Sequence, residues 1–249
     1  MGDFNHAILD ETAHRPWPMP AAPWVMTQTW HDLLFAHWRV DAEVLRAKIP
    51  RAFDLDLFDG DAWLGIVPFR MTNVTARGVP ALPWVSAFPE INVRTYVTAG
   101  GKSGVYFFSL DAANTLAVTT ARAVLNLPYY VAEMAVSADG EDVRYDSRRP
   151  SDPGARFRAT YAPIAPARPP EPGTLEHFLT ERYCLYNIDH VQKPYRLEIH
   201  HPAWPLQAAK ATIAHNEMAA VNGITLPNDP PLLHFARRQD VVAWRPTRL

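Results

Sequence analysis

Prolines divide this chain into short pieces. The 249 residues include 24 prolines, and these are spread along the whole sequence instead of being collected in one linker. Proline lacks a backbone N–H donor, so it continues neither a helix nor a central strand easily. The chain is therefore predicted to fold as many short elements joined by turns.

Between these breaks, apolar and polar side chains alternate in a way that predicts β-strands. In the clearest case, Ile91, Val93 and Val97 alternate with polar residues of the segment 90–96. Turn pairs such as Asp59-Gly60 are typical of hairpins. The predicted strands cover residues 53–57, 62–74, 90–97, 104–110, 129–136, 143–147, 156–161, 183–188 and 195–201.

Three helices are predicted, each after a residue that can cap a helix N-terminus. The pairs of cap and helix are Asp41 with 42–48, Asp111 with 112–125, and Thr174 with 175–182. Residues 206–220 contain both helix formers and strand-like alternation, so their structure is left open. Many strands with hairpin turns and few helices predict a mainly β (α+β) protein, a large antiparallel barrel or sandwich.

Composition narrows the function classes. The formal net charge of −2 gives no electrostatic reason to expect nucleic acid or an anionic membrane as a partner. No run reaches roughly 18 apolar residues, and the N-terminus lacks the apolar core of a signal peptide. The single Cys184 cannot form an internal disulfide. We therefore expect a soluble, cytoplasmic protein whose partner is a small molecule, and a homo-oligomer is left open.

Seven short motifs occur in a fixed order. They are FAHW (35–38), AWLGIVPF (62–69), FPEINVRTYV (88–97), YFFSLDA (106–112), GTLEHFLTERYCLY (173–186), HHPAWPLQ (200–207) and PLLHFA (231–236). Together they resemble the bacterial YqjF-like family, also called DUF2071, over residues 27–245. That family brings no assigned reaction, so the resemblance does not name a substrate.

A second resemblance rests mainly on residues 88–130. Segment 104–130 is similar to the active-site segment of acetoacetate decarboxylases, where a strand ending in Leu-Asp leads through a Gly-Arg-Glu helix to an aromatic-Pro-Lys-Lys turn. The first of those lysines forms a Schiff base. Here Tyr129 and Tyr130 stand at the lysine positions, and Ala123 replaces the glutamate. The resemblance implies a cone-shaped antiparallel β-barrel without the Schiff-base nucleophile, and we assign it to a single domain at 24–249. Residues 1–23 are polar and then proline-rich, which predicts an extended arm or a mobile tail.

One strand carries the main candidate site. Side chains alternate along a strand, so Glu90, Asn92, Arg94 and Tyr96 share one face. Periodicity alone favours a solvated face or a structural ion pair between Glu90 and Arg94. The resemblance instead implies an interior face, because decarboxylases place a glutamate at the position of Glu90, opposite the lysine. Glu90 and Tyr129 are therefore the candidate catalytic base and acid.

The remaining candidates follow from the second resemblance. Arg122 matches the arginine of the Gly-Arg-Glu helix and is a candidate for binding a carboxylate through its planar fork. A surface ion pair on the helix is the alternative. Tyr130 stands at the second lysine position and, with Asn92, Arg94 and Tyr96, is a candidate ligand-binding residue.

Metal and cofactor sites are not predicted. No HxH, HExxH or CxxC spacing occurs, and no glycine-rich phosphate loop follows a strand. His37 and His234 are interpreted as hydrogen-bonded core histidines, and Cys184 as a small buried hydrophobe.

Three hypotheses remain. The first is a barrel that binds a small organic acid or carbonyl compound and has lost the Schiff-base lysine. The second is a cofactor-independent lyase, hydratase or isomerase that uses Glu90 as base and Tyr129 as acid. The third is a structural or interaction protein whose barrel is filled with side chains.

Overall fold

The computed structural model describes residues 3–79 and 86–249. The strands in these ranges are β1 (Met26–Val40), β2 (Asp54–Leu55), β3 (Ala62–Ala76), β4 (Phe88–Ala99), β5 (Lys102–Ala112), β6 (Tyr129–Val131), β7 (Glu133–Asp139), β8 (Asp142–Arg148), β9 (Arg156–Pro163), β10 (Cys184–Ile188), β11 (Pro194–His200), β12 (Gln207–Asn216), β13 (Leu232–Ala243) and β14 (Thr247–Arg248). The α-helices are α1 (Ala42–Arg46), α2 (Thr115–Leu125) and α3 (Leu175–Thr180), and short 3₁₀ helices cover His6–Asp10 and Ala220–Asn222.

A closed ring of strands forms the centre of the molecule. Its strands hydrogen-bond in the order β1–β3–β4–β5–β10–β11–β13, and β13 pairs again with β1. Neighbouring strands of the ring are antiparallel except β5 and β10, which pair in parallel, so the ring is a mostly antiparallel barrel. The mainly β class with a few short helices is confirmed. A closed ring has an inner face that side chains or a small ligand can occupy.

A second sheet covers part of the outside of the ring. Strands β12, β9, β8 and β7 continue from β13 in that order. Apolar side chains from the outer faces of β1, β3 and β4 pack there against apolar side chains of β8 and β9. The members of this core include Leu34, Ile66, Ile91, Val93, Val143, Tyr145, Phe157 and Tyr161. Since Ile91 and Val93 face this outer core, the polar residues that alternate with them face the inside of the ring.

The sequence does not predict β1 and β13, although both belong to the ring. Much of each strand is buried on both faces, because one face lines the ring and the other meets the second sheet or the N-terminal segment. In β1, residues 32–38 are buried without interruption. Both faces of this stretch carry mostly apolar side chains, so it does not show the apolar–polar alternation by which the other strands are predicted. The ambiguous segment 206–220 contains strand β12.

Two of the three predicted helix caps occur. Asp41 accepts a hydrogen bond from the Glu43 N–H, and Thr174 accepts one from the His177 N–H. The predicted cap at Asp111 is wrong, because Asp111 belongs to β5 and helix α2 begins later, with Asn114 as its cap. None of the helices in the described part of the chain is long and apolar enough to cross a membrane.

The N-terminal segment packs against the ring. Ile8 is buried at 1% exposure in a small core with Val242 and Trp244. The Arg15 guanidinium donates to the Ile199 carbonyl, 2.9 Å away, and lies over the Tyr183 ring. The segment therefore covers the outer side of β11 and β13 in place of the extended, mobile arm that the sequence suggests.

Candidate functional site

The inner face of β4 runs along the inside of the ring. Glu90 lies opposite Phe69 of β3 and Ala112 of β5, and both of these neighbours belong to the apolar cluster inside the ring. Asn92, Arg94 and Tyr96 follow on the same strand, with a bulge between Val93 and Arg94. At about 3.3 Å per residue, the Cα atoms of Glu90 and Arg94 are separated by roughly 13 Å. The inner face of β4 therefore has two separate polar regions, one at the Glu90 end and one at the Arg94 end.

The first end is the pair of Glu90 and Tyr129. Strand β6 lies parallel to β5 with Tyr129 opposite Leu110, and this pairing brings the tyrosine to the inner face. The Tyr129 O–H donates to Oε2 of Glu90 at 2.8 Å. Glu90 is only 3% exposed and forms no ion pair with any cation of the described residues. A buried carboxyl therefore relies on hydrogen bonds alone.

Burial dominates the acid–base chemistry of this pair. Loss of solvent raises the pKa of Glu90 to about 8, although hydrogen bonds from Tyr129 and Asn92 act in the opposite direction. Burial also raises the pKa of Tyr129 well above 10, and the nearby Glu90 carboxylate raises it further. At neutral pH both groups are mainly protonated, so this end of the ring is largely uncharged.

Several polar atoms inside the ring have no hydrogen-bond partner among the described residues. Two of them are the side-chain oxygen Oδ1 of Asn92 and the indole Nε1 of Trp204. Asn92 is 4% exposed and Trp204 is 2% exposed. A buried polar atom without a partner is costly, and native structures usually supply water or a ligand. These atoms give the inner face both an acceptor and a donor.

The second end is built around Arg94. Its guanidinium donates to the Leu179 carbonyl at 3.4 Å and lies 5.4 Å from the centre of the Phe35 ring. Tyr96 also donates to the Leu179 carbonyl, at 2.9 Å, and its hydroxyl lies 2.6 Å from Nε2 of His37. Helix α3 therefore closes this end of the ring.

Tyr130 and Arg122, two of the predicted site residues, lie away from the inner face. Tyr130 points outward, where its ring covers the Arg149 guanidinium at 3.6 Å. Arg149 in turn holds Asp111 through two hydrogen bonds, of 3.0 and 2.7 Å. Arg122 lies exposed on α2. The structure thus brings Glu90 and Tyr129 together, and places Asn92, Arg94 and Tyr96 on the same face.

No lysine lies inside the ring. Lys48, Lys193 and Lys210 are exposed, and Lys102 forms an ion pair with Glu198 at 2.8 Å on the outside. Schiff-base formation needs a lysine that is desolvated enough to be a free amine. The arrangement offers no such lysine.

Sequence reasoning assigned no site role to His37 and His234. Both are buried, at 1% and 5% exposure, and both lie on inner faces, of β1 and β13. The signal was available: His37 lies two residues after Phe35, an inner-face residue, within the FAHW motif. Without a prediction of β1 and β13, that spacing could not be placed on a face. Within the described ranges, no three His, Cys, Asp or Glu side chains are grouped to hold a metal ion.

Comparison with known proteins identifies the family of this chain. The DUF2071 model, described as an uncharacterized conserved protein, matches residues 27–240. The chain belongs to the DUF2071 family. It is 47% identical to the uncharacterized protein YqjF of Bacillus subtilis over 226 residues, which cover 91% of this chain and 93% of that protein.

Solved structures share the fold at low identity. Acetoacetate decarboxylase of Legionella pneumophila matches with a TM-score of 0.64 and 10% identity, covering 100% of this chain and 97% of that one. The enduracididine biosynthesis enzyme MppR complexed with pyruvate matches with a TM-score of 0.63 and 9% identity, covering 94% and 93%. The expected acetoacetate decarboxylase-like fold is therefore confirmed, and at these identities the similarity extends to the fold alone.

Proposed function

We propose that this DUF2071 protein is a small-molecule-binding barrel for an organic acid or a carbonyl compound. The observation that carries the proposal is the buried contact of 2.8 Å between Tyr129 and Glu90. The pair is surrounded by apolar side chains, and no cation among the described residues forms an ion pair with it. It therefore stabilises the fold little more than apolar side chains at the same positions would. Polar groups kept in such a place are candidates for recognising a ligand.

The donors and acceptors of the pair suit a neutral oxygen group. Because burial keeps Glu90 mainly protonated at neutral pH, its carboxyl can donate a hydrogen bond to a ligand carbonyl. The unpaired Oδ1 of Asn92 can accept one from the same ligand. Arg94, at the other end of the face, is the group for a ligand carboxylate, since a guanidinium binds carboxylates with charge-assisted hydrogen bonds.

A fold relative supports this class of ligand. MppR, which shares the fold, is described in complex with pyruvate, a small keto acid. Its identity of 9% carries no residue-level role to this chain. Tyr129 also stands where decarboxylases carry a lysine, so we propose reversible binding of the acid instead of a covalent intermediate.

The test is a thermal-shift screen of short keto and hydroxy acids together with neutral analogues of the same shape, followed by titration. Tyr129→Phe should weaken acids and neutral analogues alike. Arg94→Met should weaken acids by roughly 2 kcal/mol and neutral analogues much less. Arg122→Met, a change to an exposed arginine, is the matched control and should alter neither. If no compound binds, the side-chain-filled barrel is the better account.

A second candidate function is favoured by one observation, the pKa of Glu90 near 8. A general acid or base works best when its pKa lies close to the operating pH. A cofactor-independent lyase, hydratase or isomerase would use Glu90 as base and Tyr129 as acid. NMR detection of deuterium exchange at the carbon next to a ligand carbonyl, lost in Glu90→Gln, would support catalysis. Binding without exchange would leave the first candidate.

A further inference from the structure

The Arg94 cluster consists of Arg94, Tyr96, His37, His234 and the Leu179 carbonyl. Gly65 allows its first members to meet, because it lies opposite His37 on one side and Arg94 on the other. A Cβ at Gly65 would lie 3.0 Å from Cδ2 and Nε2 of His37 and 3.4 Å from Cγ of Arg94. The space that a side chain would occupy is thus filled by the imidazole of His37 and the aliphatic stem of Arg94.

Arg94 brings an uncompensated positive charge to this cluster. Its hydrogen bond to the Leu179 carbonyl is long, at 3.4 Å, and it forms no ion pair with any carboxylate in residues 3–79 and 86–249. Its Nε is buried without a partner. The neighbouring Arg182, by contrast, is neutralised by Asp56 at 2.6 Å. A guanidinium held in this way favours an anion beside it.

The hydrogen bonds fix which nitrogen of His37 carries the proton. A carbonyl only accepts, so Tyr96 must donate its single hydrogen to the Leu179 carbonyl. The Tyr96 oxygen then accepts from Nε2 of His37 at 2.6 Å. Burial, with Arg94 nearby, lowers the pKa of His37 well below 6.5, so the imidazole is neutral. Its Nδ1 therefore presents a lone pair, and this atom is buried without a partner.

The same argument applies to His234. Its Nε2 lies 3.3 Å from a carboxylate oxygen of Glu176, which only accepts, so Nε2 carries the proton. Burial lowers the pKa of His234 and favours the neutral ring. Its Nδ1 is a second buried acceptor without a partner. The cluster thus combines cationic donors on Arg94 with neutral acceptors on two histidines.

We propose that the Arg94 cluster binds a 2-hydroxy carboxylate. The Arg94 guanidinium binds the ligand carboxylate, and Nδ1 of His37 accepts a hydrogen bond from the neighbouring hydroxyl of the ligand. A 2-oxo acid has no hydrogen to donate, and its oxygen would face the lone pair of His37. This inference rests on the proposed function, since it names the class of acid that the barrel takes.

A surface depression borders the cluster at one residue, His37. It has a volume of about 580 Å³ and is also lined by Trp63, Leu232 and the loop residues Pro227 and Asp229, among others. Sites for small ligands commonly have volumes of this order. Leu232 lies opposite His37 in the ring. We therefore expect a small acid to approach the histidine from this side.

The experiment is calorimetric titration of the wild-type protein with acids that share one carbon skeleton. For three carbons the set is lactate, propionate, pyruvate and 2-methoxypropionate, and the same four types are repeated for six carbons. The hydroxy acid should bind roughly tenfold more tightly than the other three, because only it satisfies the buried acceptor. His37→Phe, whose ring can still stack on Phe35, should lower affinity for the hydroxy acid to that for the deoxy acid. His190→Phe, at an exposed histidine, is the control.

The outcomes distinguish failure of this inference from failure of the proposed function. A hydroxyl preference that disappears in His37→Phe supports the inference. Equal affinity across the four types, or a preference that persists in a folded His37→Phe variant, overturns it. If acids bind in a Tyr129-dependent way without a hydroxyl preference, the inference fails and the proposed function stands. If no acid binds, the inference fails, and the proposed function fails with it only if the neutral carbonyl analogues of the thermal-shift screen do not bind either. The wild-type comparison decides the point even if His37→Phe does not fold.

Discussion

At the scale of single residues, the candidate site depends on where protons sit. Glu90 and Tyr129 share a hydrogen bond in an apolar setting, and the two histidines near Arg94 are neutral because they are buried. The resemblance to decarboxylases is what pointed to Glu90 and Tyr129. Periodicity alone could not, since alternation gives the same pattern for an exposed face and for an interior one. The roles of these residues remain predictions.

Glu90 should make stability depend on pH. In the folded protein it keeps its proton up to about pH 8, whereas an unfolded glutamate loses it near 4.5. Between these values the folded state binds more protons, so the free energy of unfolding falls as pH rises, by about 1.4 kcal/mol per pH unit. Buried histidines such as His37 and His234 have lowered pKa values and contribute a slope of opposite sign. The Glu90 slope is therefore measured as the difference in the free energy of unfolding between wild type and Glu90→Gln, by urea unfolding from pH 5 to 8. Glu133→Gln, an exposed control, should keep the slope.

Tyr129→Phe should move the Glu90 titration upward. The tyrosine hydrogen bond lowers the pKa of Glu90, so its removal should raise that pKa above about 8. The variant should also lose roughly 1–3 kcal/mol of stability, because a buried acceptor loses its donor. NMR titration with ¹³C-labelled glutamate measures the first effect. Tyr130→Phe keeps the ring over Arg149 and is the control. An unchanged Glu90 pKa in Tyr129→Phe would contradict the described hydrogen bond.

At the scale of elements, the sequence predicts strands that show alternation or turn signals and misses two strands that show neither clearly. Strands β3, β4, β5, β8 and β9 follow from alternation and turn signals, whereas β1 and β13 do not. Asp111 shows a related limit. An aspartate just before a predicted helix is typical of an N-cap. Asp111 instead binds Arg149, which lies 38 positions away in sequence, between β8 and β9. Such a partner cannot be identified from local pattern.

The pair of Asp111 and Arg149 should hold the second sheet onto the ring. Both side chains are almost completely buried, at 0% and 5% exposure. Breaking a buried ion pair leaves an uncompensated charge, so Asp111→Ala should lose roughly 3–5 kcal/mol in denaturant unfolding. Asp146→Ala breaks the more exposed pair with Arg158 and should lose about 1 kcal/mol or less. Equal losses in the two variants would mean that the buried pair contributes no more than the surface one.

At the scale of the whole molecule, the ring has an acetoacetate decarboxylase-like fold, and none of the described residues on its inner face is a lysine. The fold could be anticipated because many strand signals with few helices predict a barrel or sandwich, and the resemblance of residues 88–130 to acetoacetate decarboxylases narrows this to their barrel. The side chains on the inner face could not be anticipated, because they depend on which strands close the ring. The resulting inner face has a neutral end at Glu90 and a cationic end at Arg94.

The protein should form no covalent adduct with acetoacetate. The chain has four lysines, and the structure places each of them outside the ring. Borohydride reduction in the presence of acetoacetate, followed by intact-mass spectrometry, should leave the mass unchanged. A stoichiometric adduct on Lys48, Lys102, Lys193 or Lys210 would show that one of these amines is reactive after all.

Ring closure also sets an order of events during synthesis. Strand β1 pairs with β3 on one side and with β13, almost the last strand of the chain, on the other. Until residue 243 has left the ribosome, one edge of β1 has no partner, and Leu33 and Phe35 have no completed interior to enter. Unpaired edges and uncovered apolar side chains attract other chains. Chaperones that shield nascent chains would therefore matter for this protein until β13 has been made, and fragments that stop before β13 would accumulate as aggregates instead of as smaller folded units.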